Sequence, residues 1–464
     1  MTRIIRLKDE FYMNFDNQYL YCGNDKIKKM KGYSLYILEY LCMHPNCYKK
    51  ISDIRNYLGG ETLNENTVRA YISKLINSHY IFKEVIQSQR NAGYKYIGGE
   101  AINNFLISNF YIEQLNNFIS FTQNTINNYI KAILYCPCKW GPCSYDTIPQ
   151  NANTCEGIMA LILASQNDTY ADLINQIIIN LAKTHTNSGI KSKSLGAETV
   201  VPTSMYLYIC KKYGIKNLQE ETNNIANYLW DARCDSGWGL YVKNMDNYTN
   251  IGCTYWAIMG LDGYTTIPDK EFYAYIRSLF KYRNTYTFGR TIDDVNPRIP
   301  FLYSTSMMYI IYMLLSEVDK LFVGSRYNKT KALNYIMQNF DNPFYMVEQE
   351  GISGVNLGGT TSVHTVNWNH ITIHYSLFAI SLAISNGEIS PGDTLNILNR
   401  VKKIITENSE PSDGRLYWSA PNMTLEKGNR GKMIFPTMHF VMGLSFLRGA
   451  INDIINKKDV ETDE

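Results

Sequence analysis

The sequence lacks any uninterrupted apolar run of the roughly 18 residues that a membrane-spanning helix needs. Its first ten residues, MTRIIRLKDE, contain no apolar segment of the kind that marks a secretory leader. We therefore expect a cytoplasmic protein with no membrane partner. The chain also has little excess of charge of either sign, because its 45 Lys and Arg nearly balance its 42 Asp and Glu. With 45% hydrophobic residues, the 464-residue chain is expected to form more than one globular domain.

Cysteine is too sparse for a disulfide scaffold, since the chain has only 10. Cys136, Cys138 and Cys143 form a C-x-C-x4-C cluster that could hold a metal. No second C-x-x-C pair and no histidine pair at a zinc spacing lies nearby. We interpret the cysteines as reduced structural residues and predict neither a metal nor another cofactor.

The small net charge of +3 hides a difference between the two ends of the chain. Residues 1–100 hold 15 Lys and Arg against 10 Asp and Glu, a balance of +5, whereas the remainder holds 30 against 32, a balance of −2. A modestly basic first domain is compatible with phosphate contacts.

Within this basic part, alternating residues up to about Lys31 predict short antiparallel strands. Three helices are then predicted, around residues 34–42, 51–58 and 64–75, before a hairpin over 85–97 that turns at 91–93.

The third helix, 64–75, has one apolar face made by Val68, Ile72 and Leu75. Its other face carries hydrogen-bond donors that could reach phosphates and base edges: Asn66, Thr67, Arg69, Ser73 and Lys74. Asn64 is expected to cap the helix. An ordinary solvated surface helix is the alternative interpretation of this stretch.

Four local motifs in this order resemble the OmpR-type winged helix-turn-helix of bacterial response regulators, over roughly residues 10–98. They are LEYLxxHPN at 38–46, ISxI at 51–54, NTVxxxISxL at 66–75 and VIQxxRxxGYKY at 85–96. The resemblance implies that the third helix enters the DNA major groove with the five donors above facing the bases. It also implies that the hairpin contacts the backbone through Arg90 and Lys95. A winged helix that contacts proteins instead is the alternative.

After residue 99 the sequence repeats in units of about fifty residues. Apolar helices begin near Thr154, Thr203, Cys253, Ser304, His374 and Thr437, and four are preceded by an aromatic loop: Trp140-Gly141, Trp238-Gly239, Phe288-Gly289 and Trp418. Six such units predict paired helices closed in a ring, with one helix of each pair inside.

This pattern resembles the α/α-toroid of terpenoid cyclases and protein prenyltransferases, most closely at DSGWG, 235–239, followed by GCTYWA, 252–257. The resemblance implies an aromatic-lined pocket at the inner-helix N-termini, with His439 nearby. The predicted ligand-pocket residues are Cys253, Trp256, His370 and His374, and an apolar small molecule is the expected ligand.

The motifs that carry catalysis in those families are incomplete. The prenyltransferase zinc motif Asp-x-Cys would need an aspartate where Ile251 precedes Cys253, and the cyclase acid Asp-x-Asp-Asp has Thr291 in place of its first aspartate. We therefore predict no catalytic residue, and lean against an enzyme.

The expected architecture is an α+β winged helix-turn-helix domain over 1–99, an all-α (α/α)6 toroid over 100–452, and a charged tail over 453–464. The expected function is a transcriptional regulator that binds double-stranded DNA, forms a homodimer, and senses an apolar molecule or a partner through the toroid. The alternatives are an isoprenoid cyclase or prenyltransferase-like enzyme with an appended winged helix, and a protein-binding scaffold.

Overall fold

A computed structural model of the chain describes residues 4–8, 11–15, 18–22, 25–58, 63–98, 109–135, 151–165, 168–192, 196–214, 218–242, 249–298, 300–342, 369–418 and 434–462. The chain divides into two compact units. Unit 1 comprises Met1–Phe121, Ile384–Ile405 and Ile451–Glu464, and unit 2 comprises Thr122–Ala383 and Thr406–Ala450.

Unit 1 begins with a four-stranded antiparallel sheet in the order β1-β2-β3-β4. The strands are β1 (Ile4–Lys8), β2 (Phe11–Asn14), β3 (Tyr19–Cys22) and β4 (Asp25–Lys29). Ile5, Leu7, Met13 and Leu20 are fully buried on one side of this sheet. The strands predicted up to about Lys31 are confirmed.

The next elements of unit 1 are α1 (Tyr33–Met43), α2 (Ile51–Tyr57), α3 (Glu65–Ser78), α4 (Tyr80–Val85), β5 (Ile86–Gln89) and β6 (Gly93–Tyr96). The Asn64 side chain accepts a hydrogen bond of 2.8 Å from the Thr67 amide, so the predicted cap of α3 is confirmed. The hairpin β5–β6 is also confirmed. Its Gly93 has a φ of +104° and lies against the Lys49 carbonyl, where a side chain has no room.

Helix α4 was not predicted, but the order of the other elements is compatible with a winged helix. The finer assignment to the OmpR type stays a prediction.

The remaining described chain is mostly helical, as predicted. Its helices are α5 (Asn109–Ile133), α6 (Asn151–Leu163), α7 (Ala171–Ala182), α8 (Val200–Tyr213), α9 (Gln219–Asp231), α10 (Ile251–Leu261), α11 (Asp269–Leu279), α12 (Leu302–Met313), α13 (Glu317–Val323), α14 (Lys329–Asn339), α15 (Asn369–Ser385), α16 (Pro391–Asn408) and α17 (Ile434–Thr462). Two short hairpins are β7 (His185–Thr186) with β8 (Gly189–Ile190), and β9 (Ser409–Ser412) with β10 (Arg415–Trp418).

Six helices of unit 2, which we call the inner helices, contact one another in a closed cycle. Helices α6, α8, α10 and α12 are successive neighbours. Ser306 on α12 bonds Ser376 on α15 at 3.1 Å, and His374 on α15 bonds His439 on α17 at 2.9 Å. The cycle closes between α17 and α6, where His439 bonds Glu156 at 3.0 Å. The predicted ring of inner helices is therefore present.

The helices between them have one buried stripe instead of buried faces all round. On α7 the buried residues are Ile174, Ile177, Ile178 and Leu181, at the spacing of one helix face. Helix α8, by contrast, buries every residue from Pro202 to Cys210. This difference in burial separates inner from outer helices, as the repeat predicted. The inner helices begin two to five residues before the predicted positions.

A threonine near the start of four inner helices holds the loop that precedes each helix. The Thr254 hydroxyl accepts a hydrogen bond of 3.0 Å from the Trp238 amide, and Thr305 does the same for Phe288 at 3.1 Å. Thr437 accepts from Trp418 at 3.0 Å, and Thr203 from Ile190 at 2.9 Å. Three of the predicted aromatic loops thus have the same kind of anchor, which we call the threonine anchor, and the hairpin before α8 shares it. The loop at Trp140 lies outside the described residues.

Among the described residues, no helix has the length and apolar character needed to cross a membrane. Helix α17 continues through residue 453 to Thr462. The predicted domain boundaries at residues 99 and 452 stay predictions.

Replacing Thr254 by valine should destabilise the protein, because the buried Trp238 amide then loses its acceptor. The expected loss is about 1–3 kcal/mol in the free energy of unfolding, measured by urea denaturation. Thr254→Ser keeps the hydroxyl and should lose less. Thr330→Val, at an exposed position of α14, is the matched control and should change stability by no more than about 0.5 kcal/mol. Equal stability of Thr254→Val and wild type would contradict the anchor.

Candidate acid–base site in the helical ring

Glu156 belongs to a layer of side chains, one from each inner helix, that lie at the same distance from the helix starts. Glu156 lies five residues after the start of α6, and His374 and His439 lie five residues after the starts of α15 and α17. At the usual rise this level is about 7–8 Å inside the helix N-termini. The other helices contribute Met205, Trp256 and Met307 at the same offset. All six residues are buried, and none is more than 4% exposed.

Three side chains from three helices form one hydrogen-bonded chain in this layer. His439 Nε2 lies 3.0 Å from Glu156 Oε1, and its Nδ1 lies 2.9 Å from Nδ1 of His374. Asn153 Nδ2 donates to the second oxygen of Glu156 at 3.0 Å, which fixes the carboxylate from the other side. We call Glu156, His439 and His374 the acid–base chain.

The arrangement can hold its protons in two ways. When His439 is neutral and donates from Nε2 to Glu156, its Nδ1 accepts from His374. When His439 is an imidazolium, both of its nitrogens donate, and His374 must accept at Nδ1 and carry its hydrogen on Nε2. The two states differ by one proton. Going from the first state to the second takes up one proton, and the reverse change releases one.

Aromatic rings surround this chain. Tyr375, next to His374, accepts a hydrogen bond of 2.9 Å from Trp256 Nε1 across the ring. Tyr255 meets Tyr375 edge-to-face, with ring centroids 5.1 Å apart. Burial, and then the nearby Glu156, raise the pKa of Tyr375 well above its usual value. Its hydroxyl therefore stays protonated at neutral pH, and the rings give the site an apolar, polarisable lining.

Of the predicted pocket residues, the structure brings His374 and Trp256 to this site, through His439 and Tyr375. The side chain of His370 lies outside the described residues, as do Cys136, Cys138 and Cys143. Cys253 has a different role: its sulfur accepts a hydrogen bond of 3.2 Å from Asn250, which caps α10 by accepting from the Cys253 amide.

Cys253 is poorly suited to bind zinc. Burial raises the pKa of its thiol to about 11, more than the Asn250 hydrogen bond lowers it, whereas a zinc ligand must be a thiolate. In the described part of the chain, no three His, Cys, Asp or Glu side chains are grouped to hold a metal ion.

The aspartates considered as a cyclase acid lie on the surface. Asp293 accepts hydrogen bonds from Ser236 at 2.9 Å and Tyr282 at 3.0 Å, and pairs with Lys281 at 3.6 Å. Partial burial raises the pKa of Asp293, but these partners outweigh it and lower that pKa overall. A carboxylate held ionised in this way is not a proton donor.

The residues predicted to bind DNA lie on α3 and the β5–β6 hairpin of unit 1. Asn66, Arg69, Ser73, Lys74 and Arg90 are exposed, while Thr67 and Lys95 are half-buried.

Two of these side chains are engaged locally, since the Thr67 hydroxyl donates to Asn64 at 2.9 Å and the Lys95 ammonium lies 4.8 Å from the Tyr48 ring centroid. None of these contacts tests DNA binding, and the DNA-facing assignments stay predictions.

Sequence reasoning missed Glu156 and Tyr375 as site residues, and named His439 only as a neighbour. A signal for Glu156 was present, because it is the one charged residue in the apolar run CEGIMALIL. A carboxylate on a helix that is buried all round needs a partner. The partner could not be found from spacing, since His439 is 283 residues away.

No known protein-family profile matches the chain, and no curated protein matches it in sequence. Solved structures do match. The GH76A alpha-1,6-mannanase of Salegentibacter sp. HEL1_6 is 12% identical, over 73% of this chain and 99% of its own, with a TM-score of 0.46. Type II terpene cyclase MstE from Scytonema, in complex with geranylgeranyl dihydroxybenzoate, is 10% identical over 73% and 99%, with a TM-score of 0.44. A protein from Actinoplanes is 13% identical over 73% and 98%, at 0.41.

The expectation of a DNA-binding transcriptional regulator was wrong. The matched structures with a stated activity are an alpha-1,6-mannanase described with bound alpha-1,6-mannotriose and a type II terpene cyclase described with bound substrate or product. The physical reason for the error is that the order of elements indicates at most a winged-helix-like fold, and a fold alone does not determine a function. The likeness is distant and assigns neither a substrate nor a reaction to this chain, so both are argued below from its own residues.

The thiol of Cys253 should resist alkylation at about pH 8, because it is neutral and buried. We expect iodoacetamide to modify the exposed Cys47 of the native protein and to leave Cys253 unmodified, as measured by peptide mass spectrometry. In urea both should react. Rapid modification of Cys253 in the folded protein would show an accessible thiolate and restore it as a metal-ligand candidate.

Proposed function

We propose that unit 2 is an enzyme of the isoprenoid cyclase or isomerase kind, in which the acid–base chain moves a proton on an apolar substrate. The observation that carries the proposal is the buried chain Glu156–His439–His374, which joins three of the inner helices. Burying an ionisable pair costs more free energy than packing apolar residues of similar volume. A set of titratable groups kept in such a place is characteristic of acid–base catalysis.

Isoprenoid isomerisation or cyclisation needs a proton delivered to one carbon and another removed from a carbon next to the resulting carbocation. The acid–base chain suits both steps, because its two protonation states differ by one proton. The state with the extra proton can donate it, and the other state can accept one. The first step breaks an N–H or O–H bond and forms a C–H bond, leaving a carbocation. The second step returns a proton to the acid–base chain. Substrate and product are therefore isomers, and no further reactant is consumed.

The aromatic lining supports the same chemistry. A carbocation is stabilised by the faces of tryptophan and tyrosine rings, and Trp256, Tyr375 and Tyr255 meet beside His374. Prenyl transfer is less well supported, because Cys253 is a neutral thiol bonded to Asn250, and the described residues place no set of metal-binding side chains around it.

We also infer that the N-terminal part of unit 1 is a winged helix appended to this enzyme. The support is the element order and a further bridge in which the Lys49 and Tyr94 backbones pair at 2.8 Å beside the hairpin. This adds one antiparallel bridge to the edge of the two-stranded hairpin. We assign it no regulatory function.

The test is turnover by the full chain and its variants. Wild type is incubated with farnesyl and geranylgeranyl diphosphate, their alcohols and squalene, and products of unchanged mass are sought by chromatography with mass spectrometry. Glu156→Gln keeps the hydrogen-bonding shape but removes the titratable group, so turnover should fall by about 10²–10⁴-fold.

Glu221→Gln is the matched control, because Glu221 also bonds a histidine, His185 at 3.1 Å, but is exposed on an outer helix. It should keep wild-type turnover. The proposal fails if wild type converts none of these substrates, or if Glu156→Gln, shown to be folded by circular dichroism, turns over as fast as wild type.

A further inference from the structure

Helix α13 presents an apolar face to solvent. Val318, Leu321 and Phe322 are 76%, 82% and 61% exposed, whereas the other exposed large apolar residues of the described chain reach at most 56%. Their spacing of three and four residues places them on one side of the helix. We call these three residues the α13 patch. Single exposed apolar side chains are ordinary, but three together in seven residues mark a binding surface.

The helix that carries the α13 patch is fixed at its base. Ser316 caps it by accepting from the Asp319 amide at 3.2 Å, and Val323 is fully buried. Asp319 forms an ion pair with Arg277 of the preceding outer helix. The cap, the buried Val323 and the ion pair therefore hold the helix in place, and the fold itself exposes its apolar face.

Basic groups border the patch. The guanidinium groups of Arg326 and Arg277 lie 5.4 Å and 5.9 Å from the centroid of the Phe322 ring. Between residues 314 and 331 the sequence has four basic and two acidic residues. An apolar tip with cations beside it complements a surface whose interior is apolar and whose headgroups are anionic.

We propose that the α13 patch is an interfacial site through which the protein binds the surface of an anionic lipid membrane. Leu321 and Phe322 insert between the headgroups, and Arg326, beside the Phe322 ring, contacts lipid phosphates. A second copy of the chain is a poorer occupant, because three side chains offer on the order of 300 Å², whereas a stable interface buries about 800 Å² on each partner. The proposal does not rest on the proposed reaction.

The test is co-sedimentation of the full chain with phosphatidylcholine vesicles, with and without phosphatidylglycerol. We expect wild type to bind the anionic vesicles, less strongly as salt is raised. The variant Leu321→Ser/Phe322→Ser should lower the partition coefficient at least about tenfold. Arg326→Gln should lower it about fivefold on anionic vesicles and leave binding to neutral vesicles unchanged.

The matched control is Ile179→Ser/Tyr228→Ser, which removes two exposed apolar residues from other outer helices of unit 2 and should bind as wild type does. Thermal unfolding should show that all variants are folded. The proposal is overturned if wild type stays in the supernatant with both vesicles, or if the α13 double variant sediments like wild type. It is also overturned if ultracentrifugation shows a lipid-free dimer that the double variant abolishes.

Discussion

A single hydrogen bond, repeated four times, sets the geometry of unit 2. In each case a threonine hydroxyl accepts the backbone N–H of a loop residue that lies 13 to 19 residues earlier. The contact satisfies a buried amide and also fixes how far the loop descends along the inner helix. Gly237 shows how close the approach is, because a side chain there would overlap the Thr254 hydroxyl. Helix starts set at a common level allow one layer of side chains from different helices to meet.

In that layer, titratable side chains that can exchange protons take the place of apolar side chains that would stabilise the fold more. Met205 and Met307 are buried in it as ordinary core residues would be, whereas Glu156, His439 and His374 replace apolar packing with hydrogen bonds. Such a chain is costly when any member is lost, because the remaining groups stay buried without partners. Asn153 and Trp256 complete the surrounding hydrogen bonds at the carboxylate and at Tyr375. The polar centre is therefore tolerated only as a complete set.

The sequence was informative wherever local rules decide the structure. The cap at Asn64, the turn at Gly93 and the inner helices after aromatic loops all depend on neighbours within a few tens of residues, and each was found. The family resemblance placed His374 and Trp256 near the inner-helix N-termini, and their part in a ligand pocket stays a prediction. Glu156 was missed because a carboxylate in an apolar helix has meaning only with its partner, and that partner comes from the last inner helix.

The separations along the chain differ sharply between the anchors and the acid–base chain, and this governs the order of assembly. Each threonine anchor closes a short segment, so a helix pair and its loop can form as soon as they leave the ribosome. The contact between Glu156 and His439 closes 283 residues. The scaffold is thus built piece by piece, while the site appears in a single late event, when the final inner helix docks against the first. Partly folded chains would be well structured and yet have no acid–base chain at all.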